Sequence, residues 1–269
     1  MKTNEITSTD GMAAGVERGR PAKATNGKGS KRKITASKLI RWAGLAALVA
    51  GACFVVLGLL HPPNILSSVP TTQWAVVHVL AIAVSLFGLF GMMGLYARQV
   101  EAVGWLGLAG FLLLSLWMVL ILPFFFFEVF FLPLLATEAP TFGEGFLGIF
   151  TGAASEINFG VLETVYTLIG VLLILGPLAF GIATLRAGIL SRWAAGLLAV
   201  AGALVPAAAL LPLERQPLVV VPVGIALAWL GYALWSERRE QAVDSDDGVL
   251  TGVEQPAVVP SNGRVPSKV

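Results

Sequence analysis

The amino-acid sequence predicts an all-α fold, a polytopic transmembrane bundle of six helices with disordered cytoplasmic tails. Apolar residues make up 56% of the chain and charged residues only 13%, whereas about a quarter of an ordinary soluble domain is charged. The charges are concentrated towards the two ends of the chain, and long uncharged runs lie between them. This composition excludes a water-soluble globular protein.

The apolar runs divide the chain into three parts: a basic tail over residues 1–38, a transmembrane domain over 39–235 and a second tail over 236–269. A helix needs about 20 apolar residues to cross a hydrocarbon core of roughly 30 Å. Six stretches reach that length, with approximate bounds 39–60, 74–96, 103–136, 161–185, 189–211 and 217–235.

The third stretch is too long for one straight crossing. We expect Pro123 to divide it into a membrane span and a phenylalanine-rich interfacial piece, because proline interrupts the hydrogen-bond ladder of a helix. The connection over residues 136–160 is long for a loop, and long loops often carry function. It could close over a neighbouring site as a lid.

Lys and Arg are retained on the cytoplasmic side of short loops, so their distribution predicts the orientation of the chain. If the N-terminus is cytoplasmic, every Lys and Arg except Arg215 lies on that side. An even number of crossings then returns the C-terminus to the cytoplasm as well.

The basic segment over residues 18–41 contains glycine, alanine, serine and threonine between its charges, and its first part should be disordered. Its charge can serve only to orient the chain, or it can also bind anionic lipid headgroups. Nucleic acid is not an expected partner, because no folded recognition module accompanies the charge. The single cysteine, Cys53, excludes an intramolecular disulfide.

Glycine spacing predicts how the helices pack, because small residues let helix backbones approach closely in lipid. One set recurs every seven residues along the first span, and two further sets are expected to face one another across the turn between the second and third spans. They are Gly44, Gly51 and Gly58, then Gly88, Gly91 and Gly94, then Gly104, Gly107 and Gly110. The first stripe could also hold a homo- or hetero-oligomer together.

An internal repeat is a further hypothesis. The segment FGMMGLYARQVEAVGWLGLAG is similar to FGIATLRAGILSRWAAGLLAVAG. Phe90 would match Phe180, Gly91 would match Gly181, and Trp105 would match Trp193. Similar composition is the alternative explanation.

The turn GILSRWAAG, the pair His61–Pro62 at the end of the first span and the Trp74 to His78 spacing resemble features of uncharacterised bacterial multi-pass membrane proteins. The resemblance covers about residues 40–235. It implies an Ala-, Gly- and Leu-rich protein of the bacterial plasma (inner) membrane, and it implies no activity.

Ionisable residues at membrane depth cost about 3 kcal/mol each on insertion scales, so each one is a functional candidate. His61, His78, Glu128 and Glu163 come from four spans and are predicted to lie at one depth near the external surface, with Tyr166 on the face of Glu163. This grouping is typical of a ligand or ion pathway.

Two other interpretations of these residues stay open. A metal or haem could bind at His61 and His78, since imidazole and carboxylate suit zinc, iron or manganese. The polar residues could instead be hydrogen-bonded structural groups. No catalytic motif is found, which favours a small carrier or a subunit of a membrane complex over an enzyme; the alternative is a membrane-embedded metal- or haem-binding redox protein. No particular cofactor is predicted.

Overall fold

A computed structural model describes the backbone of residues 35–250 and the side chains of residues 35–237. The predicted disorder of residues 1–34 and of residues 251–269 lies outside the described part of the chain. So does most of the basic segment that was expected to contact lipid headgroups.

The regular elements of the described residues are all helical. The α-helices are α1 (Ala36–Leu60), α2 (Thr72–Phe130), α3 (Leu132–Glu138), α4 (Pro140–Thr151), α5 (Val161–Ala187), α6 (Arg192–Leu204) and α7 (Val221–Leu250). Short 3-10 helices cover Leu66–Ser68, Val205–Leu210 and Leu213–Val220. Five helical stretches are long and apolar enough to cross a membrane: Ala36–Leu60, Thr72–Phe130, Val161–Ala187, Arg192–Leu210 and Leu213–Glu237.

Helix α2 folds back on itself. Its 59 residues include two with non-helical backbone, Gln99 and Gly104, and the φ of 57° at Gly104 is a conformation that favours glycine. The indole nitrogen of Trp74 donates to the carbonyl of Glu128 over 2.9 Å, although the residues are 54 positions apart. A continuous helix would separate them by about 80 Å. Helix α2 therefore has a first arm, residues 72–98, and an antiparallel second arm, residues 105–130.

Polar caps fix where the apolar helices begin. Thr35, Thr71 and Ser191 each accept a hydrogen bond from the backbone N–H of the third residue after them, at the starts of α1, α2 and α6. Gly188 ends α5 with a φ of 64°, a left-handed conformation that favours glycine at this position. These caps place the turns at the ends of the apolar runs.

The glycine stripe of α1 packs inside the bundle against α7. A Cβ on Gly51 would lie 2.3 Å from the backbone nitrogen of Ala228, and Gly44 and Gly58 also approach the last part of the chain closely. This surface is thus covered within the chain, which removes the expected basis for oligomerisation through it.

The expected contact between the other two glycine sets is wrong. Gly91 and Gly94 pack against Ala47 and Ala43 of α1, and Gly110 packs against Phe180 of α5. The remaining three, Gly88, Gly104 and Gly107, meet Met118, open space and Val103 respectively. Spacing identifies a small-residue face, but it does not specify which neighbouring helix covers that face.

Charged residues at one end of the bundle tie the two ends of the described chain together. The guanidinium of Arg41 lies 5.8 Å from the ring centre of Trp235, and Arg98, beside the bend of α2, forms an ion pair with Glu237. Arg186 and Arg192, which flank the turn between α5 and α6, belong to the same end. We call this the basic end. The opposite end, which carries most of the glutamates, is the acidic end.

Three predicted boundaries differ from the structure. The second arm of α2 continues through Pro123 to Phe130, because neighbouring helices can support a helix from which proline removes one hydrogen bond. Helix α3 then overlaps the start of the connection that was predicted to be a loop, and α4 forms within it. The backbone of α7 is helical to Leu250, although a disordered tail was expected from residue 236.

The matched positions of the proposed repeat occupy different environments. Phe90 is 60% exposed, whereas Phe180 is fully buried. Gly91 packs against α1, but its counterpart Gly181 packs against Ala199 of its own hairpin partner, α6. These differences favour similar composition as the origin of the sequence likeness.

Candidate functional site

A cavity of about 250 Å³ opens within the bundle at the acidic end. The end of α1, both arms of α2, helix α5 and the 3-10 helix before α7 form its walls. Most of the lining is apolar, and the polar side chains in it include His61, Asn64, His78, Trp117, Glu128 and Tyr166.

His78 and Glu128 form the most buried polar pair in this cavity. His78 lies on the first arm of α2 and Glu128 on the second, so the hairpin brings them together. Nε2 of His78 is 3.3 Å from Oε2 of Glu128, and the side chains are only 1% and 3% exposed. The hydrogen bond from Trp74 to the Glu128 carbonyl holds the two arms in this register.

The hydrogen bonds of the His78 ring restrict where its protons lie. Nδ1 is 2.8 Å from the carbonyl oxygen of Trp74, and a carbonyl can only accept, so Nδ1 carries a hydrogen. Nε2 is then the ring atom that faces the Glu128 carboxyl group, and it is the atom through which the ring can take up a proton.

Histidine 61 lies beside this pair, directly after the last residue of α1. Its ring centre is 5.1 Å from that of His78, and its Nδ1 donates to the carbonyl of Pro62 over 2.6 Å. Burial, with a smaller contribution from His78, lowers the pKa of His61 to about 4. His61 is therefore neutral at neutral pH, and its Nε2 is an acceptor.

Three buried polar atoms in the cavity wall have no hydrogen-bond partner among the described residues. They are Oδ1 of Asn64, Nε2 of His78 and Nε1 of Trp117. The contact from His78 to Glu128 is close but not aligned as a hydrogen bond. Because buried polar atoms are nearly always partnered by protein or water, these three atoms indicate a site for water or a polar ligand.

Helix α4 covers part of the cavity. Its Phe150 lines the cavity, with its ring centre 4.7 Å from that of Tyr166 at 84°. Phe146 anchors the helix against Phe127 of the second arm, at 4.6 Å between ring centres. The connection that sequence analysis considered as a lid is thus a helix seated on the phenylalanine-rich end of α2.

The structure brings His61, His78, Glu128 and Tyr166 to one cavity, but it does not bring Glu163 there. Glu163 is exposed and lines a separate cleft with Ser155 and Thr167. Helix α5 turns Tyr166 and Ile169 inward, and Glu163 lies outside that face.

Sequence reasoning missed Asn64, Trp117 and Phe150 as lining residues. Trp117 carried a usable signal, since it is eleven residues before Glu128 and therefore close to the same face of a helix. Asn64 and Phe150 carried none, because each comes from a separate short segment that tertiary contacts fold against the cavity.

The donor set of the cavity gives no support to the metal alternative. The described residues contain no group of three or more His, Cys, Asp or Glu side chains placed to hold a metal ion. A haem is at least drug-sized, and the cavity is smaller than the roughly 300–1,000 Å³ of pockets for such ligands.

The apolar helices and this cavity define a helical membrane protein with a buried histidine–glutamate pair. Comparison with protein-family models, with curated proteins and with solved structures found no significant match. Its function is therefore inferred from the geometry of the cavity.

Proposed function

We propose that this chain crosses the bacterial plasma membrane six times, with both ends in the cytoplasm, and acts as a proton-coupled carrier of a small solute. The observation that carries the proposal is the pairing of His78 with Glu128, two groups that can take up and release protons, buried in a cavity at the acidic end. Ionisable groups at membrane depth are expensive, and carriers use them as proton and ion sites.

The arrangement of charge and tryptophan supports this topology. Each arm of α2 is long enough for one crossing, which gives six crossings in total. The basic end exposes three tryptophans, Trp42, Trp105 and Trp193, which are 68%, 86% and 82% exposed. Tryptophan is enriched at membrane–water interfaces, so these side chains support an interface at that end. The positive-inside rule supports a cytoplasmic position for that end, and the cavity would then open outward.

The shape of the cavity supports an outward-facing state of a carrier. Towards the basic end, the next void is about 10 Å³, entirely apolar and bounded by Phe54 and Trp117. A solute bound beside Glu128 therefore has contact with the acidic end alone. Release into the cytoplasm requires the helices around Trp117 to rearrange.

The cavity favours a carrier over a subunit of a larger complex. The subunit hypothesis relied on the glycine stripe of α1, and α7 already covers that stripe. A carrier needs a polar cavity inside the bundle, and the histidine–glutamate pair lines one.

Proton movement in liposomes tests the proposal. The protein is reconstituted with a pH-sensitive dye inside, and inward gradients of organic cations, anions and neutral polar solutes are applied one at a time. We expect at least one solute to drive proton movement with the wild type, and none to do so with Glu128→Gln. Glu163→Gln is the matched control, because the same change falls outside the cavity.

Two results would overturn the carrier. One is proton movement no faster than in empty vesicles for every solute tested. The other is proton movement that Glu128→Gln leaves unchanged while the variant remains folded.

A further inference from the structure

We propose that the solute bound in this cavity is a small organic cation, an ammonium group carrying a few carbon atoms, which exchanges for the proton of the His78–Glu128 pair. The inference rests on the proposed carrier function and names its substrate class. Three features of the cavity lead to it: its aromatic walls, the sign of its charge and its volume.

Aromatic rings line the cavity that holds the polar pair. The cavity lining includes Phe54, Trp117, Phe125, Phe150 and Tyr166, which come from α1, the second arm of α2, α4 and α5. An aromatic face attracts an ammonium group through the ring quadrupole, and cages of such faces recognise quaternary ammonium ligands. Rings on four helices can surround a rounded cation in a way that one flat surface cannot.

The charge in the lining favours a cation over an anion. Glu128 is the one acidic residue among the described residues that line the cavity, and no Lys or Arg lines it. His61 is neutral at neutral pH, as shown above. An anionic solute would therefore meet a carboxylate without a permanent positive partner.

Charge balance predicts a one-for-one exchange. An unpaired charge in a buried site is costly, so the proposal has the pair hold one proton, and be neutral overall, when no solute is bound. When an ammonium group pairs with the Glu128 carboxylate, His78 is left neutral with its Nδ1 hydrogen on Trp74. The proton leaves to water through the mouth of the cavity, so one positive charge enters as one departs.

The size of the cavity and its unpartnered atoms narrow the ligand further. A volume of about 250 Å³ is below the range for drug-sized ligands, so it suits a compact molecule. Asn64 Oδ1 can accept from an N–H or O–H group of the solute, while Trp117 Nε1 can donate to a hydroxyl oxygen. An amino alcohol such as choline has this combination of groups.

Calorimetry on the purified full-length protein in detergent tests the inference. The probes are tetramethylammonium, choline, the uncharged carbon analogue of choline, and sodium and potassium ions. Titrations in buffers of different ionisation enthalpy count the protons released. We expect the two organic cations to bind, each releasing about one proton in the pH range where the pair holds its proton, and we expect the uncharged analogue not to bind.

Variants separate the aromatic contribution from the charge. We expect Trp117→Leu to weaken binding of tetramethylammonium about ten-fold, as for loss of a desolvated cation–π contact, and Trp117→Phe to restore part of it. Glu128→Gln should abolish both binding and proton release. Trp105→Leu is the matched control at the exposed, basic end, and Phe150→Leu on α4 replaces Trp117→Leu if that variant does not fold.

Each contrary result has a defined meaning. The inference is overturned if neither organic cation binds, if the uncharged analogue binds equally well, if sodium or potassium displaces the proton as effectively, or if binding releases no proton. If an anionic or neutral solute alone drives proton movement in the liposomes, the carrier stands and the cation does not. If no solute does, both proposals fail.

Discussion

Polar side chains pair with one another at one end of the bundle, and they line a cavity at the other. At the basic end, Arg98 pairs with Glu237, and the amide nitrogen of Gln99 donates to the hydroxyl of Thr184 over 2.9 Å. At the acidic end, His78 and Glu128 face a cavity of about 250 Å³.

This difference separates structural polar groups from candidate functional ones. Of the two side chains in the buried pair at the basic end, the amide oxygen of Gln99 alone lacks a partner. Three unpartnered atoms line the His78–Glu128 cavity at the acidic end. Close backbone contacts at glycine leave little space between α1 and α7, whereas aromatic rings around the acidic end leave room for a ligand.

The largest expected loss of stability comes from disrupting the close contact between α1 and α7. Gly51→Leu should destabilise the protein by more than about 3 kcal/mol, because even a Cβ at this position meets the backbone of α7 at 2.3 Å. Thermal unfolding in detergent measures it. Gly196→Leu is the matched control, since no heavy atom lies within 4 Å of a Cβ there. Equal losses in the two variants would contradict the packing account.

A smaller loss is expected from the polar pair of the basic end. Thr184→Val leaves the Gln99 amide without its partner and should cost about 1–3 kcal/mol. The double variant with Gln99→Leu should lose less than the sum of the single changes. Thr167→Val is the control, because the Thr167 hydroxyl is exposed and donates only to the carbonyl of Glu163 in the preceding turn of the same helix. Additive losses in denaturation measurements would argue against the pair.

Acid should destabilise the acidic end through His61. Its pKa is about 4 in the folded protein and 6.5 in the reference state. The unfolded chain therefore binds more protons between these values, so stability is retained above about pH 6.5 and lost as the pH falls towards 4. The loss should reach about 1–2 kcal/mol, since water in the cavity screens part of the effect.

Unfolding measured at several pH values checks this expectation, with His61→Asn for comparison. The variant should show a smaller loss over the same range. A pH dependence identical to that of the wild type would exclude His61 as its source.

The smallest effect is expected at the exposed part of the basic end. Arg98→Gln removes the ion pair with Glu237, whose partners are 24% and 30% exposed, and should cost no more than about 1 kcal/mol. Arg215→Gln at the acidic end provides a charge-matched control. A loss of unfolding free energy well above about 1 kcal/mol would show that the ion pair stabilises the protein more than a solvent-screened pair can.

The helical class and several residues of the cavity could be predicted from the sequence. The errors have a different physical cause. Apolar length and composition identify membrane helices directly, and the rarity of charge within them draws attention to His78 and Glu128. The error at Glu163 arises because α5 is apolar on nearly all sides, so helical periodicity does not show which face turns inward. The partners of Gly91 and Gly94 depend on tertiary packing in the same way.

Cysteine accessibility tests the central claim most directly. That claim is that the apolar helices cross the membrane and that the acidic end lies on its outer side. Glu214→Cys and Glu101→Cys are each introduced with Cys53→Ala, and intact cells are treated with a membrane-impermeant thiol reagent; both positions are exposed, one at each end of the bundle. The account predicts labelling of Glu214→Cys in intact cells, and of Glu101→Cys only after the membrane is permeabilised. Labelling of both in intact cells, or the reverse pattern, would contradict it.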